Sequence, residues 1–455
     1  MKRILWLLFG LLTAFGAFAL AQHETADAAE ASGSHGHAAE FLLFLVLILI
    51  AAKLGGELFE RMNQPAVLGE LVFGVVLGNL GLAGFHMLDP LKTDQNLALA
   101  AEIGVILLLF EVGLESNVRE LMAVGASAML VAVLGVVAPV ILGYGVSTWF
   151  LPQEAWYVHL FVGATLAATS VGITARVLKD MRKMHTKEAR IILGAAVVDD
   201  VLGLIILAVV SGLVTSIAHG EGGAITAGPI LMIIGKAVAF LVVAVFAGQM
   251  LAGRVINLGA RFRVHGVPVV LTVAWCFLLA AVAELIGLAA IVGAFAAGLV
   301  LDQAHYRGYH HLRERKIEEL LAPLSAIYVP VFFVLMGFRV DLRAFGSTSV
   351  LVFALVLSVA AIIGKQVCAL GVLEKGLNRV VVGVGMIPRG EVGLIFAGIG
   401  ATLMVAGRPV FSSETFSAMI VMVMVTTLST PPLLKVLFSS PSSPGAQTAA
   451  ERDAA

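Results

Sequence analysis

The feature that most constrains this chain is a series of apolar segments, each about as long as a membrane-spanning helix. A helix that crosses a bilayer needs about 20 predominantly apolar residues, and such segments follow one another between residues 41 and 437. Charged residues make up 13% of the chain, against about 25% in a typical soluble protein. The sequence therefore predicts an all-α polytopic membrane protein with about thirteen transmembrane helices.

The boundaries of these predicted spans follow from the apolar runs. They are 41–59, 65–83, 97–115, 122–146, 156–178, 189–215, 228–252, 266–286, 288–304, 323–341, 349–372, 379–404 and 413–437.

The two ends of the chain lie outside this series. Residues 1–21 have the basic start, apolar run and small-residue end of a secretory signal peptide, with an uncleaved first helix as the alternative. Residues 22–40 are predicted to be a polar extracytoplasmic tail. Residues 438–455 are predicted to be a disordered cytoplasmic tail.

Basic residues are distributed unequally between the two sides of the predicted membrane domain. If the first span begins outside, all the basic loop residues fall on the inner side except four, which are Lys92, Arg339, Arg343 and Arg408. Positively charged loops stay in the cytoplasm. The expected topology therefore has the N-terminus outside and the C-terminus in the cytoplasm. The expected location is a bacterial inner membrane.

Short motifs recur at a fixed distance along the chain. The motif "VLGELVFGVVLG" corresponds to "IVGAFAAGLVL", and "GLESNVR" corresponds to "GFRVDLR", with an offset of 224 residues in each case. An odd number of crossings separates the two copies, so the second copy is inverted in the membrane. Inverted repeats are typical of secondary transporters, whose substrate site lies near the bilayer midplane where the copies meet.

Two corresponding spans are predicted to contain a break. In "GMIPRGEVGLIFAG", Pro388 removes a backbone donor next to the charged Arg389. The corresponding motif "ATLAATSVGITA" contains Thr165, Thr169 and Ser170, whose hydroxyl groups can replace lost backbone hydrogen bonds. Opposed broken helices bring partial charges of both signs to the midplane. A desolvated cation could bind there.

The apolar segment "ILGAAVVDDVLGLIILAVV" carries two adjacent carboxylates, Asp199 and Asp200. Each charge at the bilayer centre costs about 2.5 to 3.5 kcal/mol on insertion scales, so both residues should have a use. Neighbouring helix positions differ by about 100° in direction, so the two carboxylates need different partners. Lys365, in "AAIIGKQVCAL", is the expected partner of one aspartate, which leaves the other to face a cavity. A carboxylate that binds either a proton or a cation makes the two compete, and this competition is sufficient for exchange transport.

The chain resembles sodium/proton antiporters of the NapA type, within the monovalent cation:proton antiporter superfamily. The resemblance extends from about Met62 to Lys435. It rests on "NQPAVLGELVFGVVLGN", "AEIGVILLLFEVGLE", "ATSVGIT", "ILGAAVVDDVLGL", "VGAFAAGLVL", "PVFFVLMGF", "IPRGEVGLIFAG" and "TTLSTPP". It implies an NhaA/NapA-like antiporter fold of thirteen transmembrane helices with inverted repeats and two crossed broken helices.

The resemblance also implies a division into domains. The core helices would occupy about 122–215 and 349–437, and the dimerisation helices about 41–115 and 266–341, with a linker helix at about 228–252. A homodimer is expected, and the core is expected to move like an elevator.

Residue roles follow from the matching motif positions. The resemblance implies that Asp200 is the cation- and proton-binding carboxylate, and that Asp199, in the same site, pairs with Lys365. The positions on the unwound segments are Thr169, Ser170, Pro388, Arg389 and Glu391. Among them, Thr169 and Ser170 would join Asp200 in holding the transported sodium ion, and the other three would support the broken helices. The Asp-Asp pair is similar to that of electrogenic members.

The predicted function is the exchange of sodium or lithium for protons by alternating access, in an electrogenic reaction. Monovalent cations, protons and membrane lipid are the expected partners, and no nucleic acid, cofactor or enzymatic activity is expected. One alternative is a potassium/proton antiporter of the Kef-like type, although such systems typically carry Gln-Asp at the pair. A distant alternative is an intramembrane aspartyl protease, which would need its carboxylates on two facing helices.

Overall fold

The computed structural model describes residues 35–62, 64–92, 94–115, 125–184, 186–218, 266–301 and 317–439, with scattered positions between 235 and 264. The predicted signal peptide, nearly all of the C-terminal tail, and most of the N-terminal tail and of the linker helix lie outside these residues. The described residues are almost entirely helical.

The main helices are numbered here in chain order. They are α1 His35–Arg61, α2 Ala66–Gly78, α3 Gln95–Glu115, α4 Ala126–Phe150, α5 Trp156–Ala167, α6 Val171–Asp180, α7 Lys187–Ala218, α8 Val267–Leu285, α9 Ala290–Val300, α10 Ile317–Phe338, α11 Thr348–Val367, α12 Arg379–Gly385, α13 Glu391–Thr402 and α14 Ser413–Ser439. Short 3₁₀ turns occupy Leu80–Ala83, Asp89–Lys92, Leu342–Gly346 and Cys368–Gly371.

A small antiparallel hairpin connects α13 to α14. Its strands are β1 Met404–Val405 and β2 Arg408–Pro409, and Met404 pairs with Pro409.

Eight of the described helices are long and apolar enough to cross a membrane. Shorter apolar helices lie at Ala66–Gly78, Trp156–Ala167, Ala290–Val300 and Val392–Thr402. The prediction of an all-α polytopic membrane protein is therefore confirmed. The number of thirteen spans stays a prediction.

Some helix boundaries differ from the apolar runs. Helix α1 begins at His35, ahead of the predicted start at residue 41, and α2 ends at Gly78 although the apolar run continues to residue 83. The side chain of Asn79 donates to the carbonyl oxygens of Val75 and Val340, both at 2.8 Å. The Val75 carbonyl lies in the last turn of the helix, where carbonyl groups lack helical partners. The apolar run predicts which residues are buried, but the helix ends where the polar side chain of Asn79 caps it.

The described residues divide into two compact units. The first lies within Met1–Leu108 and Leu321–Arg343, and the second within Leu109–Leu320 and Ala344–Ala455. The second unit includes both predicted core segments. It also includes α8 and α9, which fall in the predicted dimerisation helices, so the division into core and dimerisation domains stays a prediction.

The repeated glycine motifs make equivalent helix contacts. At each of six glycines a Cβ atom would lie 2.0 to 2.3 Å from a main-chain oxygen of a neighbouring helix. The contact of Gly69 with Gly55 corresponds to that of Gly293 with Leu279. The contact of Gly74 with Val334 corresponds to that of Gly298 with Phe110, and the contact of Gly113 with Phe295 corresponds to that of Gly337 with Leu71. In each correspondence, the two glycines are 224 positions apart, and so are the two residues that they contact. The sequence repeat is therefore also a repeat of helix packing.

These contacts predict opposite effects for the same substitution at two glycines. In α9, Gly293→Ala would place a Cβ 2.0 Å from the Leu279 oxygen, and overpacking of this kind costs about 1 to 3 kcal/mol. In α7, a Cβ on Gly203 would meet nothing within 4 Å, so Gly203→Ala should gain about 0.5 to 1 kcal/mol of helix stability. Thermal unfolding of the purified protein in detergent should give a lower Tm for the first variant and an equal or higher Tm for the second. Equal Tm values for the two variants would contradict the close packing.

Candidate functional site

Both predicted broken helices are interrupted in the structure, within the second unit. Residues 168–170 separate α5 from α6, and residues 386–390 separate α12 from α13. The backbone N–H of Ser170 donates to the carbonyl oxygen of Pro388 at 2.8 Å, and the Thr174 hydroxyl donates to the carbonyl oxygen of Gly385 at 2.6 Å. The two breaks are therefore in direct contact, and each satisfies polar groups of the other.

The second break follows from local sequence. Pro388 has no backbone N–H, so the α12 ladder cannot continue through it, and the helix closes with tight bonds from Met386 to Gly383 and from Ile387 to Val384, both at 3.1 Å. Gly390 is required next because a Cβ there would lie 2.7 Å from the Ser170 hydroxyl oxygen. Pro388 thus ends one half-helix, and Gly390 allows the other break to approach closely.

Asp199 and Lys365 form a buried ion pair. Lys365 Nζ donates to Asp199 Oδ1 at 3.0 Å, and the side chains are 0% and 1% exposed. Asp199 lies on α7 and Lys365 on α11. Gly135 on α4 packs next to the lysine, because a Cβ there would lie in ordinary van der Waals contact with Nζ, at 3.5 Å.

The pair lies among apolar side chains, and the buried Arg389 is close enough to interact electrostatically with both partners. Ala195, Ala196 and Val198 on α7 belong to a buried hydrophobic cluster with Cys368 and Met386. Among the described residues, no hydrogen bond reaches the second carboxylate oxygen of Asp199. A charge left alone in such surroundings is strongly disfavoured, so each partner depends on the other.

Asp200 differs from its neighbour in burial. It follows Asp199 on α7 and is partly exposed, whereas Asp199 is buried. The direction of side chains changes by about 100° at each helix position. The two adjacent carboxylates therefore occupy different environments, as the sequence predicted.

The hydroxyl residues of the first break are almost completely buried. Thr169 is 2% exposed and Ser170 is 1% exposed. Thr169 Oγ1 has no hydrogen-bond partner among the described residues, whereas Thr165 Oγ1 donates to Phe161 O of its own helix at 2.9 Å. Thr165 therefore does not repair the break, but Thr169 presents an oxygen that a cation could use. Glu391 begins α13, and its side chain lies outside the description.

Arg389 lies in the second break and is completely buried. Its guanidinium donates to main-chain carbonyl oxygens: to Leu166 at 3.1 Å from Nε and 2.5 Å from Nη2, to Ile387 at 2.5 Å, and to Ala361 at 3.1 Å. The carbonyl oxygen of Arg389 accepts a hydrogen bond of 2.6 Å from the Thr427 hydroxyl on α14. The break is thus held from three neighbouring helices.

Sequence analysis missed two hydroxyl residues that stabilise the breaks. Thr174 donates to the carbonyl oxygen of Gly385 at the end of α12, and Thr427 donates to that of Arg389 in the second break. Thr427 lies in the motif "TTLSTPP", which was noted only as part of the resemblance. A threonine in an apolar helix usually donates within its own helix, so these two gave no distinct signal.

Two buried side-chain oxygens near the breaks are candidate ligands for a cation. Asp199 Oδ2 and Thr169 Oγ1 are buried oxygens that the described residues leave without hydrogen-bond partners, and Asp200 adds a partly exposed carboxylate. Oxygen ligands of this kind suit small hard cations. The described residues contain no group of three or more His, Cys, Asp or Glu side chains arranged to bind a metal ion.

Two interrupted helices that touch beside buried charged residues, in an apolar polytopic chain, define a membrane transporter of ions. The model of the family described as sodium/hydrogen exchanger, transmembrane, matches residues 41–437. The chain belongs to the sodium/hydrogen exchanger family.

Relatives of known name agree with this assignment. The chain is 39% identical over 432 residues to the high-affinity Na⁺/H⁺ antiporter NhaS3 of Synechocystis, covering 87% of this chain and 89% of that protein. It is 35% identical over 406 residues to the Na⁺/H⁺-K⁺ antiporter GerN of Bacillus cereus, covering 88% and 97%. The fold is similar to the structure of the sodium proton antiporter MjNhaP1 from Methanocaldococcus jannaschii, with a TM-score of 0.67, 17% identity and coverage of 88% and 97%.

These comparisons confirm the predicted class. The chain is a monovalent cation:proton antiporter of a transporter family and not an enzyme, so the alternative of an intramembrane protease is wrong. Membership of the NapA type within the superfamily stays a prediction, as do the roles of the individual site residues.

The ion pair predicts a non-additive effect on stability. Lys365→Ala should lower the Tm markedly, because breaking a buried pair from one side costs about 3 to 5 kcal/mol. Replacing both partners, as Asp199→Asn with Lys365→Gln, leaves no stranded charge. The double variant should therefore melt above the single lysine variant.

The measurement is a double-mutant cycle of Tm values in detergent, completed by the single variants Asp199→Asn and Lys365→Gln. Strictly additive losses would mean that the two residues do not stabilise each other.

Proposed function

We propose that the chain exchanges sodium or lithium for protons, and that Asp200 is the carboxylate for which the cation and the proton compete. The observation that carries this proposal is the buried pair of Asp199 with Lys365 beside the two touching helix breaks. The pair occupies one of the adjacent carboxylates. The partial exposure of the other carboxylate, Asp200, supports its assignment to the exchanged ions.

The cation shell proposed here combines Asp200 with the hydroxyl oxygens of Thr169 and Ser170, and Asp199 is the nearest further carboxylate along α7. The unpartnered oxygen of Thr169 supports this choice. Binding of a cation would displace the proton from Asp200, and binding of a proton would displace the cation. One site exposed alternately to the two sides of the membrane then couples the two fluxes.

The exchange is proposed to be electrogenic. The second buried charge, Lys365, can itself take up or release a proton if its pair with Asp199 opens during transport. More protons than cations would then move in each cycle. The adjacent Asp-Asp sequence, which resembles that of electrogenic members, supports this view.

The setting of the reaction is also proposed from sequence. The chain would act as a homodimer in a bacterial inner membrane, with the N-terminus outside, the C-terminus in the cytoplasm, and a core that moves against the dimerisation helices. Potassium is the competing substrate, because one relative is named as a Na⁺/H⁺-K⁺ antiporter. Addition of sodium, lithium and potassium in turn to protein in liposomes containing a pH dye separates these possibilities.

The assignment of Asp200 predicts a specific loss. Asp200→Asn keeps the shape of the side chain but removes the group that titrates, so sodium-driven proton movement in liposomes should be abolished. The matched control is Glu414→Gln, which neutralises an exposed carboxylate in the first turn of α14 and should exchange normally. Both variants should elute and melt like the folded wild type. Near-normal exchange by the Asp200 variant would overturn the assignment.

A further inference from the structure

Ser211 on α7 carries a buried hydroxyl group without a hydrogen-bond partner. The residue is 5% exposed, and none of the described residues bonds its Oγ atom. A serine within an apolar helix commonly donates to the carbonyl oxygen four positions earlier. Ser358 on α11 does so, at 2.7 Å from the Ala354 oxygen, and is buried to a similar degree. A buried hydroxyl without a partner carries a free-energy cost, so the hydroxyl of Ser211 should have a use.

The position of Ser211 connects it to the proposed exchange site. Ser211 follows Asp200 by eleven positions, which is about three full helix turns and about 16 Å along the axis. The two residues therefore lie on the same face of α7. Helix α7 ends at Ala218, so Ser211 is close to the end that the predicted topology places outside.

The hydroxyl of Ser211 shares its lack of a partner with that of Thr169. These are the two buried hydroxyl oxygens that the described residues leave without a hydrogen bond. Thr169 belongs to the proposed cation shell. The same property at Ser211, on the face that carries Asp200, points to the same ligand.

Apolar side chains separate Asp200 from Ser211. Leu204 and Leu207 lie on this face of α7 between the two residues, and they are 2% and 0% exposed. At Gly203, also about one turn after Asp200, a Cβ atom would meet no described atom within 4 Å. Hydrophobic constrictions exclude water and ions and act as gates in membrane proteins. The two leucines therefore form an apolar barrier between two positions that carry side-chain oxygens.

We infer that Ser211 is a further ligand of the transported cation, which it contacts when the protein is open at the C-terminal end of α7. The inference rests on the exchange function proposed above. Oxygen atoms are the ligands that small hard cations prefer. One hydroxyl oxygen cannot replace a whole water shell, so the cation keeps part of its water at Ser211 and loses more of it beyond the leucines, at Asp200. Ser211 thus affects how readily the cation enters and leaves on this side.

Removal of the hydroxyl predicts weaker cation binding without a loss of stability. In right-side-out membrane vesicles with sodium added outside, Ser211→Ala should raise the apparent KM for sodium by about twofold to tenfold, the effect of one hydrogen bond. Because the hydroxyl has no partner among the described residues, the Tm in detergent should stay equal or rise. Ser211→Thr keeps a hydroxyl and should have a KM closer to that of the wild type. The matched control, Ser358→Ala, removes a similarly buried hydroxyl and should leave the KM unchanged.

A thiol at the same position tests whether the cation reaches it. In the same vesicles, at a sodium concentration below the apparent KM, Ser211→Cys should react with a charged, membrane-impermeant methanethiosulfonate reagent. Ser358→Cys should stay unmodified, and so should the wild type, whose Cys276 and Cys368 are buried. Saturating sodium chloride should slow the reaction of Ser211→Cys, and choline chloride at the same ionic strength should not.

Three outcomes would overturn the role of Ser211. The first is a Ser211→Ala variant that exchanges with the wild-type KM, or one whose Tm falls, since a lower Tm would assign the hydroxyl a structural role. The second is a Ser211→Cys thiol as unreactive as that of Ser358→Cys. The third is a reaction that sodium, lithium and potassium all fail to slow, because water but not a cation would then reach the position.

The test also separates this inference from the proposed function. If the wild type fails to exchange sodium, but potassium slows the reaction of Ser211→Cys, the proposed substrate is wrong and the role of Ser211 stands. If Ser211→Cys does not fold, the KM and the Tm of Ser211→Ala decide.

Discussion

The ion pair between Asp199 and Lys365 is the interaction on which the rest of the site depends. Both groups are buried among apolar side chains, where an isolated charge is strongly disfavoured. Their contact at 3.0 Å connects α7 to α11. It also uses one of the two adjacent carboxylates and anchors the helix that carries Asp200, the carboxylate proposed above to serve the ions.

A second constraint comes from the two helix breaks. An interrupted helix exposes main-chain donors and acceptors that have no water to bind in the membrane. In this chain the breaks satisfy each other through the contact of Ser170 with Pro388 and through the Thr174 hydroxyl. Arg389 also donates to the carbonyl oxygens of Leu166 and Ile387. These hydrogen bonds connect the two breaks into one polar network.

The sequence predicted the parts of this site that have a charge or a backbone signature. Burial cost made Asp199, Asp200 and Lys365 conspicuous in apolar runs, and Pro388 marked the second break directly. The first break was found only through the repeat, because residues 168–170 contain no proline or glycine.

Other features left no trace in the sequence. The acceptors of Arg389 are main-chain oxygens, which every residue possesses, so composition could not identify them. The end of α2 depends on the Asn79 side chain reaching the Val340 carbonyl, a contact across 261 positions that an apolar run does not reveal.

The division of roles between the two aspartates is tested most directly by the current that transport produces. Proteoliposomes on a solid support, at equal pH on both sides, are given a step in sodium concentration, and current and proton movement are recorded for the wild type and for the variant with Asp199→Asn and Lys365→Gln. The wild type should exchange with a current, because Lys365 contributes a second proton. The double variant should still move protons through Asp200 but without a net current. A wild type without current, or a double variant with the wild-type current per proton moved, would contradict the assignment of the additional charge to the buried pair. A folded double variant that no longer moves protons would contradict the assignment of exchange to Asp200.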